Sequence, residues 1–560
     1  MYPFVLQGKE ILVEIAGDDI KTYAMDHHGL VAAVCKDVGI ATKIDKRMGQ
    51  QDPRRIVSAG TAVVAMILNG LGFTNRRLYL TPQFFESKPV ERLLEGNISS
   101  HHLDDNALGK ALDEISEYGA SRLFGEIAFE IALENNLLGS LAHLDSTSMS
   151  VEGEYEKGSN ENVIKLTYGH SKDHRPDLKQ AVMSLVVSGA SAIPIWMEPH
   201  NGNSSDKKEF HETIQKVRAF QKQLKGCPDF KWVADSALYS KEKLLKQADY
   251  LWLSRVPETI TEARELVEKE DKEIDWKDCE KGYKTASFSS NYGEVEQRWL
   301  LIYSDQSYTR EKKTFNRKLD KQDELLKKSL WHLGNEIFSC ESDAVKEVNK
   351  LIKKFPYHYV ETKIIPAIKH GKTGRPKRGA EGEVIGYQLQ SEVTHNSDAI
   401  EIFLNRKGRF ILATNDLDKE TFPDEKMLEE YKQQQNVERG FRFLKDPWFM
   451  VDSIFLKSPR RIEALMMVMT LCLMIYNIGQ HRLRATLKEN HETLPNQINK
   501  AIQNPTMRWI FQIMEGIGII RFYEKNSRDV AREIISNLSE LRRKIIRLFG
   551  ESACQIYGIA

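Results

Sequence analysis

Three carboxylates stand out by their positions in the chain. Asp145 closes an apolar run in HLDSTS, and Asp235 closes another in KWVADSAL. Carboxylates at the ends of neighbouring strands can converge on one edge of a sheet, where hard divalent cations take oxygen ligands. The same placement suits a side chain that caps its own turn, so both readings stand. Glu438 lies in YKQQQNVERGFRFLKDPW. On a helix, Tyr431, Gln434, Gln435, Glu438, Arg442 and Lys445 share a sector of about 100°. Val437, Phe443 and Leu444 fall on the other side, toward a core, and Pro447 bounds the segment. One carboxylate is thus flanked by two cations and hydrogen-bonding groups. An ordinary solvated face with charges at i+4 and i+7 would give the same pattern.

Other reactive groups are less specific. The loop YGHSKDHRPDLKQ carries His170, Lys172, His174, Arg175 and Lys179. It suits a catalytic edge or a DNA contact as well as a structural turn. Its GHSK does not complete G-x-S-x-G and lacks a strand–turn–helix setting, which excludes a serine hydrolase elbow. His27-His28 and His101-His102 are adjacent pairs, and adjacent residues do not share a helical face. The six cysteines are scattered without a C-x-x-C pair, so no zinc site is expected and a reduced, cytoplasmic setting is.

The elements that must position these groups follow from periodicity. Residues 1–135 read as a helical region, with apolar residues at helical spacing over 29–48 and 58–71. Asp104 or Asp105 is a candidate N-cap for the helix after it, and an amphipathic stretch covers 120–138. Residues 136–256 read as alternating strands and helices. The strands are 141–151, 162–168, 181–187, 192–198, 230–236 and 249–256, with helical patterns at 207–224 and 241–247. A mixed sheet with crossover helices is the expected result. Residues 257–420 read as an insertion. It opens with ten acidic against four basic residues in 257–280, continues through a helix at 310–335, and ends in strands at 383–393 and 409–415. Residues 421–485 return to helix and carry Glu438, and 486–560 read as a helical C-terminal region ending in LRRKIIRLF.

Composition limits the function. The chain has 560 residues, 80 Lys+Arg and 80 Asp+Glu, with 41% hydrophobic residues. That fits a folded multidomain protein and excludes disorder or collagen-like structure for the whole. Zero net charge argues against a uniformly basic nucleic-acid coat and leaves local patches open. No basic n-region precedes an apolar run at the N-terminus, so no signal peptide is expected. The most apolar stretch, 464–478, falls short of a bilayer span and reads as a core helix.

Asp145, Asp235 and Glu438 together resemble the triad of bacterial insertion-sequence DDE transposases with a ribonuclease H-like core. The signature Y-x2-R-x3-E-x6-K reads here as Tyr431, Gln434, Glu438 and Lys445, with the spacing kept and Gln in the Arg position. HLDDNALGKALDEI, YGHSKDHRPDLKQ, ERGFRFLKDPWF and FLKSPRRIEALMMVMTLCL resemble the same group, and the likeness runs from about 20 to 535. It implies a mixed α/β fold with the insertion inside the catalytic core. It implies two Mg2+ ions, replaceable by Mn2+, with Asp145 bridging both and Asp235 and Glu438 each completing one shell. The implied partners are double-stranded DNA at the element ends and target, and a second copy in a synaptic dimer, with no membrane. Tyr431 and Lys445 would meet DNA phosphate, and Arg439 or Arg442 could replace the missing Arg. The N-terminal region would bind terminal inverted repeats.

Residues 360–380 hold six basic residues against one acidic, and GRPKRG, with Arg375, Lys377 and Arg378, resembles an AT-hook core. Such a segment suits an A·T-rich minor groove, and a solvated loop is the plain alternative. The basic C-terminal helix suits DNA or a second subunit. A weakened, DNA-binding descendant of a transposase and a structure-specific nuclease are the competing functions. The first should have lost a carboxylate, and all three are present.

Overall fold

The structure is a computed structural model. It describes the chain except residues 1–3, 7–8, 12–19, 50–53, 74–77, 156–162, 190–191, 245–248, 370–381, 447–455, 525–529 and 560. Arg375, Lys377, Arg378 and Pro447 therefore lie outside the described residues. By contacts the chain divides into two units. One is Met1–Trp252 with Glu429–Ala560, and the other is the inserted Leu253–Leu428.

The first unit is built on a mixed sheet. Strand Leu141–Val151 is buried along nearly its whole length. It pairs antiparallel with Lys179–Ser188, which pairs antiparallel with Ile193–His200. Helix Asp206–Gln221 returns the chain so that Lys231–Ala234 can add parallel to Leu141–Val151. A parallel neighbour requires such a crossover. The crossover helix buries Phe210, Ile214 and Val217, at i, i+4 and i+7. Among the described residues of the strand expected at 162–168, the pairing is a single bridge, Thr167 to Gln180. Its backbone is tied to the loop after Ile193–His200: Lys165 N–H donates to the Asn201 side chain and Lys165 C=O accepts from Gly202 N–H.

Helices His28–Asp37, Ile40–Met48, Ala59–Gly70, Asp105–Tyr118 and Ala120–Glu134 precede the sheet. The periodic stretch 29–48 is two helices, broken at Gly39 with φ 67°. Asp104 is the N-cap, accepting the Ala107 N–H at 2.8 Å. A Cβ on Gly60 would lie 2.2 Å from the Ala41 carbonyl oxygen, so two of these helices meet backbone to backbone. Helix Pro459–Glu489 is long and apolar enough to cross a membrane, yet 83% of its apolar window is buried inside the protein. It is a core helix, and its buried residues share one cluster with the N-terminal helices and with Met183, Leu185 and Met197 of the sheet.

The C-terminal region is not purely helical. Gly518–Tyr523 pairs with Val530–Ser536 on one side and with Ile20–Ala24 on the other. Its period-2 pattern, with Ile519 and Arg521 buried, marks a strand. The basic helix Glu540–Leu548 buries Ile545, Ile546 and Leu548. Arg542 donates to the carbonyls of Ile513, Glu515 and Asn537, and Lys544 pairs with Glu492 at 2.8 Å.

The inserted unit contains antiparallel strands Lys277–Cys279, Tyr283–Ser290, Gln297–Ser304 and Arg409–Thr414, with residues 253–255 pairing against 412–414. It also holds helix Asp305–Gly334 and a long hairpin, His358–Lys369 with Glu383–His395.

Candidate active site

Asp145 is half-buried, as is Ser150, in a strand whose other residues are buried. Its parallel register with the neighbouring strand runs from Leu141–Lys231 to Leu144–Ala234. Asp145 and Asp235 each follow the last of these pairs by one residue; Asp235 lies just past its strand as expected, whereas Asp145 lies within Leu141–Val151 rather than at its end. Asp145 Oδ1 accepts the Ser146 N–H at 2.7 Å, and Asp235 Oδ1 accepts the Ala237 N–H at 2.9 Å. Asp235 thus caps its own turn, while Asp145 bonds to the next residue along its strand. Two residues earlier, His143 is fully buried with neither ring nitrogen hydrogen-bonded, and burial lowers its pKa to about 4.

The polar loop folds over the same strand. Lys172 N–H donates to Ser148 Oγ at 2.9 Å, and Lys172 Nζ donates to Ser146 O at 2.7 Å. That ammonium lies 3.9 Å from Asp145 Oδ1. Of the other loop residues, Arg175 pairs with Asp177 at 2.8 Å, and His174 is exposed with φ 57°.

Glu438 is carried by helix Gln435–Leu444. Val437, Gly440, Phe441 and Leu444, at i, i+3, i+4 and i+7, form its buried face. A Cβ on Gly440 would come 3.0 Å from Leu473 Cδ2 and 3.6 Å from Leu185 Cδ2, so glycine lets the helix settle close to the core helix and the sheet. Glu438 itself is exposed, 3.6 Å from Arg442. Lys445 holds Asp173 of the polar loop at 2.6 Å.

The single helix expected over 431–445 is interrupted. Tyr431 lies on the preceding helix, Asp424–Lys432, and Gln434 is the residue before Gln435–Leu444. Gln434 N–H bonds to Tyr431 O, Asn436 N–H to Gln433 O and Val437 N–H to Gln434 O. These i to i−3 bonds tighten the chain between the two helices. Among the described residues, the three carboxylates do not form a set of ligand atoms within 4.8 Å of one another.

Reading the sequence missed two features. Asp173, within the quoted loop, is the partner of Lys445, and ion pairing across 272 residues leaves no local signal. Asn436 and Arg439 line a cleft of about 410 Å3 with Tyr476, Asn477, Gln480 and Arg484. Burial, and then Arg439, lower the pKa of Arg484 from its ordinary value.

Residues 138–475 match the family model described as a transposase DDE domain, and residues 20–129 match one described as a domain of unknown function, DUF4277. The first match covers more than half of the chain and contains Asp145, Asp235 and Glu438. The chain belongs to the DDE-domain transposase family. A solved structure, a piggyBac transposase synaptic complex with hairpin DNA, is similar at a TM-score of 0.36 and 10% identity. The match covers 87% of this chain and 80% of that one. No curated protein matches.

Proposed function

We propose that the chain binds the terminal inverted repeats of a mobile element and moves it by cut-and-paste cleavage and strand transfer, using Asp145, Asp235 and Glu438. The observation that carries this reading is the parallel register ending at Leu144–Ala234, one residue before Asp145 and Asp235, with the Glu438 helix packed on the same sheet. Three carboxylates form an all-oxygen donor set suited to Mg2+, with Mn2+ able to substitute. Two such ions bound there would supply activation of the attacking oxygen and stabilisation of the leaving one.

The protein's own groups do the positioning. In the free protein Lys172 faces Asp145 and tempers its charge. Lys445 is held by Asp173 and exchanges that carboxylate for a DNA phosphate. Tyr431 offers a hydroxyl and a stacking face, and Gln434, Arg439, Arg442, His174 and Arg175 border the DNA path. Arg375, Lys377 and Arg378 follow the minor groove. Residues 1–135 read the repeats, and pairing two ends calls for a homodimer. The setting is cytoplasmic, on the nucleoid.

The test is cleavage of the DNA flanking this reading frame by the purified chain, with Mg2+ and with EDTA. Metal-dependent cuts at the element ends are expected. Cleavage unaffected by EDTA, or cuts without regard to the ends, would defeat the proposal.

A further inference from the structure

We propose that Asp323, His358 and His395 form a transition-metal site in the inserted unit, suited to Zn2+. The three residues come from three elements. Asp323 lies on helix Asp305–Gly334, while His358 begins and His395 ends the two strands of the long hairpin. His358 and His395 are register partners, so their side chains leave the same face of the hairpin. Both present Nε2 to one carboxylate, His358 at 2.5 Å and His395 at 3.0 Å. All three ligand atoms lie within 4.8 Å of one another.

Burial gives the site an inside and an outside. The His358 side chain is fully buried and its Nδ1 has no hydrogen-bond partner. Asp323 is 21% exposed and His395 48%, which leaves a solvent-facing side for a water as fourth ligand. Two imidazoles and a carboxylate are the donors of three-ligand zinc sites. Imidazole nitrogen does not suit Mg2+, so this set differs in kind from the all-oxygen triad. Adjacent ligands in tetrahedral zinc sit about 3.3 Å apart, so the His358 contact would open by about 0.8 Å and the His395 contact by about 0.3 Å to admit the ion. A bound ion would fasten both ends of the hairpin to the long helix. This site does not depend on the catalytic proposal.

The test uses the full chain, stripped with EDTA and dialysed against Zn2+, then against Co2+ for its visible spectrum. About one equivalent of Zn2+ is expected, with a tetrahedral Co2+ spectrum. His395→Ala and Asp323→Asn should each lose at least about tenfold in Zn2+ affinity. His395 is half exposed, so its variant should fold, and far-ultraviolet circular dichroism checks both. The Asp145→Ala, Asp235→Ala, Glu438→Ala triple variant should bind Zn2+ as wild type does. No bound Zn2+, or equal affinity in wild type and folded variants, would mean a hydrogen-bonded cluster only and would overturn the proposal.

Discussion

Replacing Asp173 tests how Lys445 changes partners. Its ammonium holds both Asp173 oxygens, at 2.6 and 2.8 Å, with side-chain exposures of 25% for Lys445 and 37% for Asp173. A phosphate can recruit Lys445 only by displacing that carboxylate. Partly exposed pairs of this kind contribute about 0.2–1 kcal/mol. Asp173→Asn removes the competitor, so affinity for element-end DNA should rise by about 1.4- to 5-fold, at roughly 1.36 kcal/mol per tenfold. Lys445 meets the phosphate in both complexes, so the gain should come with a nearly unchanged count of phosphate contacts in the salt slope. The assay is fluorescence anisotropy over a salt series in EDTA, so that cleavage does not intervene. Lys445→Ala should weaken binding, and adding Asp173→Asn to it should then change nothing. A gain from Asp173→Asn that survives in the Lys445→Ala background would refute the exchange, as would a loss in the single variant.

Gly440→Leu places a side chain where a Cβ alone already meets Leu473 and Leu185. It should cost about 1–3 kcal/mol in a urea titration, and by lifting the Glu438 helix it should reduce cleavage at least about tenfold while DNA binding holds. Wild-type cleavage would show that the helix need not sit close. His27 is buried, donates its Nε2–H to Leu71 O at 2.8 Å, and has its pKa lowered to about 4, chiefly by burial. Below pH 6.5 the unfolded chain takes up a proton that the folded chain refuses, so this contribution is whole above 6.5 and is lost as pH falls toward 4. The loss amounts to about 1.4 kcal/mol per pH unit. His27→Phe should flatten the fall in urea stability between pH 7 and 5, and an equal fall in both proteins would contradict this. Neutralising Arg375, Lys377 and Arg378 should weaken DNA binding and lower its salt slope by up to about 3; an unchanged slope would remove them from the interface.

Legibility from sequence followed locality. Strand Leu141–Val151 was readable because β-branched and apolar residues are bounded by polar turns, and Asp145 stood out as the carboxylate that closes its apolar run, although the strand itself runs on past it. Strand Gly518–Tyr523 was not readable, because its partner Ile20–Ala24 lies some 500 residues away and a short run between helices carries no pairing signal. The Glu438 helix was found, but the break at Gln433–Gln434 depends on i−3 bonding that helical periodicity assumes away. Adjacent histidines argued against a zinc site, whereas His358 and His395 are brought together by strand register.

The central claim is that Asp145, Asp235 and Glu438 act as one metal-holding set. Single-turnover cleavage of element-end DNA in Mg2+ by Asp235→Asn tests it most directly, because this isosteric change keeps an oxygen that can accept the Ala237 N–H and so preserves the turn. The account predicts a loss of at least about 100-fold with end binding retained, the scale seen when one preorganised charge-stabilising group is removed. Cleavage at the wild-type rate would contradict it.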